Sequence, residues 1–579
     1  MNNQTGVRSY PARRRLLIGC FMAFTALMLW RVVELHVIRN EFLRNHGDSR
    51  SIREVEIHAH RGAIVDRNLE PLAISTPVVT VGAVPRKILT EEASIPRLAA
   101  ALEMDTLELK QLLSDRIARD LIYLKRHITP DQGDYIQELN IQGVHLQREY
   151  KRYYPAGEVT AHLIGFTNVD DAGQEGLELA YNDWLQGTSG LKRVLKDSLG
   201  RTVQDIESIQ ASEPGKQLVL SIDRRVQYLA YRELAAAVSR HKAKGGTLVM
   251  LDAKSGEVMA MVGQPSYNPN NRNDLKGELY RNRAVTDIFE PGSTIKPFTI
   301  AAALESGLYQ VDSRIDTSPG FLRVNKYTIR ENEDHNYGVI DLAEVISKSS
   351  NIGASKIALS LGPERIWDMF SRFGIGTITG SGYPGESSGL FNNYRVWSEA
   401  DLATIAFGHG VAVTTLQLAQ AYAILAAGGS QRPISFIKLN EPVAGTQILS
   451  KHIAEQIKFM MEGVTQEGGT GTKAKVEGYR VAGKTGTARK STAGGYSLNH
   501  FRSLFAGFAP ISDPRLVLVV MIDEPEGGQY YGGLVAAPVF AEVMKGALRI
   551  LNIPPDDPGS MSGQVIMAQN RADFPGTQR

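Results

Sequence analysis

The sequence predicts an α+β fold: one N-terminal membrane helix, a mixed first domain, and a larger second domain whose antiparallel sheet is flanked by helices. Three observations predict it. An uncharged, mostly apolar run, Leu16 to Trp30, follows Arg8, Arg13, Arg14 and Arg15. A turn-rich boundary, Ala211-Ser212-Glu213-Pro214-Gly215-Lys216, divides the remainder. Beyond it strand patterns come first, helical patterns dominate from Ser293 to about Glu467, and strand patterns return up to Ile522. In that order the first and last strands are expected to pair in one sheet.

A chain of 579 residues exceeds what one core supports. Apolar residues make up 43% and charged residues 22%, as in ordinary globular proteins. Lys plus Arg total 64 against 62 acidic residues, a net charge of +2. That balance gives no large positive field, so nucleic acid is excluded as a partner. The single cysteine, Cys20, forbids an intramolecular disulfide. His58 and His60 share a strand face, but nothing nearby completes a ligand set, so no metal and no cofactor is expected.

The apolar run is shorter than the ~20 residues a span usually needs, but Arg31 can snorkel at the far interface and Val32 to Ile38 extend it. No small-x-small site follows, which disfavours a cleaved signal peptide. Leu17-Ile18-Gly19-Cys20 is no lipoprotein site, because most of the apolar run lies after the cysteine. The arginines precede the run, so the N-terminus is expected in the cytoplasm and the bulk of the chain outside.

Next, His60 to Asn68 reads as strand and turn. Residues 88–140 read as amphipathic helix, with Arg97 to Met104 and Leu107 to Leu113 the clearest stretches and Pro96 at a helix start. This first domain has no nucleophile–base pairing and reads as a structural or docking module. In the second domain Leu218 to Ile222 is a strand and Arg224 to Ser239 a helix. Gly246 to Leu251 and Glu257 to Val262 flank the turn Asp252 to Gly256, a hairpin signal. Tyr479 to Ala482, Leu504 to Ala509 and Leu516 to Ile522 are the returning strands. The tail beyond Pro554 has a disordered composition.

Three patterns in order carry chemistry: Ser293-Thr294-Ile295-Lys296, Ser349-Ser350-Asn351 and Lys484-Thr485-Gly486. Each alone is weak. S-x-x-K recurs at Ser189, Ser239 and Ser435, and S-x-N at Ser266 and Ser497. Context separates them. Ser293 follows Glu290-Pro291-Gly292 and opens an apolar helix, whereas the other serines lie in a turn, at a polar helix end and in a β-like run. A serine at a helix start faces backbone N–H groups and the positive end of the dipole. Lys296, three residues on, shares its helix face.

A serine hydroxyl needs a base, and Lys296 can be one only when neutral, through burial and a nearby cation. Lys484 is the expected cation. Ser349 can relay a proton to a departing amine. Asn351 can hold a substrate amide, the two pointing to one side of an extended turn. Gly486 lets a substrate backbone approach, and Thr485 and Thr487 offer hydroxyls to a carboxylate. The N–H groups of Ser293 and Thr487 are the expected oxyanion hole; one such donor contributes about 2.7–4 kcal/mol.

This ordered set resembles that of penicillin-binding proteins and class A β-lactamases. The stretches Phe289 to Pro297 and Lys348 to Asn351 resemble the class B penicillin-binding proteins, and within them the division-specific (FtsI-type) branch. The likeness extends to Arg61-Gly62, Asp66-Arg67-Asn68, Arg152 to Gly157, Gly173 to Glu178 and Tyr531 to Pro538. It implies a penicillin-binding, serine-transpeptidase fold with this layout: cytoplasmic tail 1–15, transmembrane anchor 16–38, N-terminal pedestal of dimerisation type 39–210, transpeptidase domain 211–553, and tail 554–579. It implies an inner-membrane enzyme of septal peptidoglycan synthesis. The partners it implies are peptidoglycan stem peptides, β-lactam antibiotics, and membrane proteins of the division machinery including a glycan polymerase. Three positions depart from the family pattern: Leu69 for glycine, His409 for tyrosine and Thr415 for proline. His409 is expected near the cleft, where it would alter β-lactam preference or pH dependence. The departures also fit a specialised paralogue. A hydrolase on the same scaffold would need a separate base for water, and no carboxylate motif supplies one. A β-lactam sensor would need a cytoplasmic module, and only about 15 residues precede the apolar run.

Overall fold

The computed structural model describes residues 11–41, 52–57, 59–196, 202–273, 277–492 and 495–561. Residues 1–10 of the expected cytoplasmic tail, His58, and residues 562–579 of the expected disordered tail lie outside the described residues.

Among the described residues one helix, Pro11–Ile38, is long and apolar enough to cross a membrane. Its regular part is α1, Pro11–Val33, followed by a wider turn at Glu34–Ile38. None of its side chains is buried against protein, which for an apolar helix demands another apolar medium. Arg31 ends the apolar stretch and donates to Glu34 at 2.6 Å.

The chain divides into two compact units: residues 1–60, 77–150 and 187–214 in the first, and 61–76, 151–186 and 215–579 in the second. In the first, Ile52–Ile57, Gly190–Lys196 and Thr202–Gln210 form an antiparallel sheet. A second set of strands packs on the helices Ile95–Leu102, Thr106–Asp115 and Pro130–Glu138 around Val81, Leu98, Leu102, Leu109 and Ile136. Asp105 caps one of these helices, accepting from the N–H groups of Leu107 and Glu108. The expected helical stretch 88–140 is interrupted by a strand, Ile122–Ile128. It exists because Pro71–Ala83 pairs with it, Val79 opposite Ile128, and a partner that distant leaves no local periodicity to read.

The second unit is built on a five-stranded antiparallel sheet. Its strands are β1, Gly245–Asp252; β2, Val258–Gln264; β3, Ala482–Thr492; β4, Gly495–Ala509; and β5, Leu516–Asp523. The order is β2-β1-β5-β4-β3. As expected, the first strand of this sheet pairs with the last, Val249 opposite Val519. Leu218–Val219, however, pairs with Ile64–Val65 outside this sheet. Strand residues alternate between two cores. Leu248, Met250, Leu518 and Val520 join one cluster, and Val249, Leu251, Val517 and Val519 the other. Both faces are covered, so the central strands read as continuous apolar runs. One face carries α2, Arg224–Arg240, and a C-terminal helix, Gly532–Ile550; the other carries the helical subdomain. The expected strand Tyr479 to Ala482 is corrected: β3 begins only at Ala482, and Lys484, Thr485, Gly486 and Thr487 lie within it. Polar residues beyond Gly486 masked its length.

Two family departures have local reasons. Asp66 accepts from the N–H groups of Asn68 and Glu70 at 2.7 and 2.9 Å, closing a turn in which Leu69 has φ +68°. A leucine there costs about 1 kcal/mol relative to glycine. Thr415 is the first residue of helix Thr415–Ala426, a position that also suits proline. Its hydroxyl lies 2.6 Å from that of Thr247 on β1, both fully buried, so each satisfies the other.

Residues 554–561, inside the expected tail, are held to the unit. Asp556 accepts from the N–H groups of Arg480 and Ser512, and Asp557 N–H donates to Gly478 O.

Candidate active site

Ser293 lies on a 3₁₀ turn, Gly292–Ile295, that runs directly into α3, Lys296–Glu305. The turn is held from several sides. Thr294 Oγ1 donates to Pro291 O at 2.7 Å, and the buried Tyr422 hydroxyl donates to Thr294 O at 2.8 Å. Gly292 N–H donates to Gly408 O at 3.2 Å. Gly408 has φ +89°, and a Cβ there would lie 2.1 Å from Gly292 O. Only glycine brings the 407–413 segment this close to the serine turn. Ser293 itself is half-buried, while Lys296 is fully buried.

Lys296 Nζ donates to Ser349 O at 2.6 Å, to Ser349 Oγ at 3.1 Å and to Asn351 Oδ1 at 2.8 Å. Two of the three sequence patterns thus meet at one amine. The reason differs from the expected extended turn. Helix α4, Leu342–Ser347, stops with Ser349 at φ +61°, its N–H bonded to Ile346 O and the Ser350 N–H to Val345 O. That is the left-handed helix stop glycine usually occupies. Helix α5, Asn351–Leu361, begins at once, capped by Ser350. A stop followed immediately by a start turns both side chains toward Lys296. Asn351 Nδ2 donates to Arg330 O at 3.0 Å.

The third pattern comes from β3, the edge strand of the sheet. It packs on the serine turn. A Cβ at Gly486 would lie 2.9 Å from Thr294 Cγ2 and 3.0 Å from Pro291 O, so glycine is needed for this approach. Lys484, on the same face as Gly486, is fully buried. Among the described residues it makes two long bonds, to Thr485 O at 3.2 Å and Thr485 Oγ1 at 3.3 Å. Thr485 Oγ1 also lies 2.8 Å from Thr470 Oγ1, and Thr487 Oγ1 accepts from Gly532 N–H at 3.0 Å.

The electrostatics follow from burial. Lys296 is pushed down to about 7 by desolvation, opposed by the negative charge of Glu331. Lys484 is pushed well below its ordinary range by burial and then by the charge of Lys296. The charge of Lys296 therefore disfavours a proton on Lys484. In the substrate-free cleft Lys296, with three oxygen acceptors, is the better place for it.

His409 borders the serine turn through Gly408 and Gly410. Its Nδ1 is 3.7 Å from Glu290 Oε2, and its ring meets Phe407 and Tyr496 edge to face. Glu290 Oε1 accepts from the Tyr496 hydroxyl at 2.8 Å and Gly410 N–H at 2.9 Å. Burial lowers the His409 pKa; Glu290 opposes this, and the charges of Lys296 and Arg489 add to it.

Glu331 was invisible to motif reading. It lies 19 residues before Ser350 with no fixed-spacing signal. Ser189, Ser239 and Ser435, the other S-x-x-K serines, lie respectively before a strand, within α2 and on a β-bridge. Among the described residues no group of three His, Cys, Asp or Glu side chains is placed to hold a metal.

Family models match this chain in two blocks. A penicillin binding protein transpeptidase domain matches residues 246–545, and a penicillin-binding protein dimerisation domain matches residues 56–220. The chain belongs to the penicillin-binding proteins. Among penicillin-binding proteins it is similar to the peptidoglycan D,D-transpeptidase FtsI of Escherichia coli, 44% identical over 94% of this chain and 92% of that one. It is also similar to the probable peptidoglycan D,D-transpeptidase PbpC of Pseudomonas aeruginosa, 42% identical over 94% of this chain and 96% of that one. A peptidoglycan synthetase structure from Bifidobacterium adolescentis superposes with TM-score 0.70 at 26% identity, covering 88% of this chain and 98% of that one. The transpeptidase domain of Burkholderia pseudomallei penicillin-binding protein 3 gives 0.54 at 37% identity, covering 58% and 97%. The resemblance read from the motifs and the α+β fold class are both borne out.

Proposed function

We propose that this chain is a membrane-anchored peptidoglycan D,D-transpeptidase of the division septum, acylated by stem peptides and by β-lactams at Ser293. The observation that carries the site assignment is the fully buried Lys296 amine, one turn from Ser293 and hydrogen-bonded to both Ser349 and Asn351.

In this reading Ser293 Oγ attacks the carbonyl carbon of the D-Ala-D-Ala bond and its proton passes to the neutral Lys296 amine. The N–H groups of Ser293 and Thr487 receive the oxyanion. Ser349 passes a proton to the departing D-Ala amine. An amine of a neighbouring stem peptide then attacks the acyl-enzyme, restoring Ser293. The substrate carboxylate meets Thr485 and Thr487. Its negative charge favours a proton on Lys484, and that cation in turn favours the neutral form of Lys296. Asn351 exchanges its internal bond for a substrate amide, and His409 borders the cleft as a β-lactam contact. The N-terminus is cytoplasmic, α1 crosses the inner membrane, and the remainder is periplasmic, with a glycan polymerase among its division partners.

Intact mass of the full-length chain in detergent after benzylpenicillin, with peptide mapping, tests the assignment. One stable adduct on Ser293 is expected. An adduct on another residue, or rapid turnover without an adduct, would overturn it.

A further inference from the structure

With Lys296 as proton acceptor, the buried carboxylate of Glu331 beside the site has no role yet. Glu331 is 4% exposed. It follows the strand Tyr327–Arg330 and reaches the junction where α4 ends and α5 begins. Its Oε2 accepts the Asn351 N–H at 2.7 Å and its Oε1 the Ile352 N–H at 3.3 Å. The Ser350 hydroxyl also donates to it. Arg330, the residue before it, supplies the carbonyl that holds the Asn351 side-chain amide. Two adjacent residues therefore fix both the backbone and the side chain of Asn351.

We propose that Glu331 is a positioning residue for acyl transfer: it fixes the Ser349–Asn351 junction against Lys296 and places a buried carboxylate one hydrogen bond behind the groups that hold its amine.

The physical case has two parts. A carboxylate at the first turn of α5 complements the helix dipole and satisfies N–H groups that would otherwise be buried without partners. The same junction presents Ser349 O, Ser349 Oγ and Asn351 Oδ1 to Lys296, so a shift of the junction moves all three acceptors together. The negative charge of Glu331 also acts on Lys296 directly, opposing the desolvation that lowers it. Among the described residues the charge of Lys296 also acts on Lys484 and His409. Tyr337, raised by burial and by Glu331 and Glu333, faces Glu331 from the following loop. Neither lysine neighbour offers a negative charge. A buried acid that accepts from the backbone of Asn351, whose side chain holds the amine, is a device for keeping a proton where burial would otherwise remove it.

This inference rests on Lys296 being the base. Its test is the second-order acylation of the full-length chain in detergent by a fluorescent penicillin, followed across the neutral pH range. Wild type should show a limb rising with pH as Lys296 deprotonates. Glu331→Gln keeps an acceptor for the α5 N–H groups and removes the charge. It should move the midpoint of that limb toward acid by about one pH unit. Glu331→Asp keeps the charge one methylene further from the junction and should move it in the same direction by a smaller step, which decides the matter if the glutamine variant does not fold. A purely structural role lowers the rate at every pH without moving the midpoint, so an unmoved midpoint in the folded variants overturns the proposal. Absence of any rising limb in wild type, or full acylation of Lys296→Ala, overturns the Lys296 reading itself.

Discussion

Ser349 occupies a backbone position that glycine fills more cheaply, with φ +61° at the end of α4. Its hydroxyl, 3.1 Å from Lys296 Nζ, is the reason for tolerating that strain. Ser349→Gly should therefore leave the thermal midpoint of the full-length chain unchanged or slightly higher, while slowing acylation by a fluorescent penicillin. Equal losses of stability and rate would sink this view. Lys296→Ala should slow the same acylation by about 10²–10⁴-fold, because a positioned proton acceptor is lost. Removing a buried amine also relieves desolvation, so thermal unfolding should stay cooperative. Fluorescent labelling at the wild-type rate would remove Lys296 from the mechanism. At this scale the spacing of Ser293 and Lys296 was legible, because residues three apart fall about one turn from each other along a helical segment. Glu331 was not, because its partners come from another part of the chain.

Elements meet at the serine turn through glycines. Gly408→Ala would place a methyl 2.1 Å from Gly292 O at a backbone angle of +89°. We expect a loss of about 1–3 kcal/mol in stability. Acylation should fall further than stability explains, since the displaced backbone is the one that carries Ser293. Unfolding curves together with labelling rates check this; wild-type rates in a destabilised variant would show that the 407–413 segment does not set the turn. The same scale explains the reading of β3. Its apolar start at Ala482 was legible, but Lys484 to Thr492 is largely polar and becomes strand through its pairing with β4, Thr487 opposite Ser503. The central strands β1 and β5 were plain as unbroken apolar runs, because helices cover both faces.

For the second unit as a whole, a buried ion cluster holds the core together and a buried histidine sets a response to acid. Arg61 and Arg152 both bind Glu178, at 2.7 and 2.6 Å, with all three side chains buried. Breaking one partner of such a set typically costs about 3–5 kcal/mol. His162, in the same unit, is held down to about 4, mainly by burial and also by the charge of Arg283, against its bond to Leu279 O. The sign follows from proton uptake. Below the ordinary value of 6.5 the unfolded chain binds a proton that the folded chain refuses until about 4. Stability is therefore complete above that window and falls by up to about 3 kcal/mol as pH drops through it. Thermal midpoints of the full-length chain should decline across this range, and His162→Gln should flatten the decline. An identical slope in both proteins would place the acid sensitivity elsewhere.

What the sequence determined by itself were the local and periodic features: the apolar anchor, the doubly buried strands, and a serine three residues before a lysine at a helix start. These follow from spacing along a single element, which the chain carries in its own order. Tertiary structure alone decided how the distant groups are held together and which unsignalled residues join them. Glu331 at the start of α5, Lys484 on the edge strand and Gly408 beneath the serine turn come together only when separate segments pack. Burial, which lowers both lysines, is likewise a property of that packing and of no single stretch of residues.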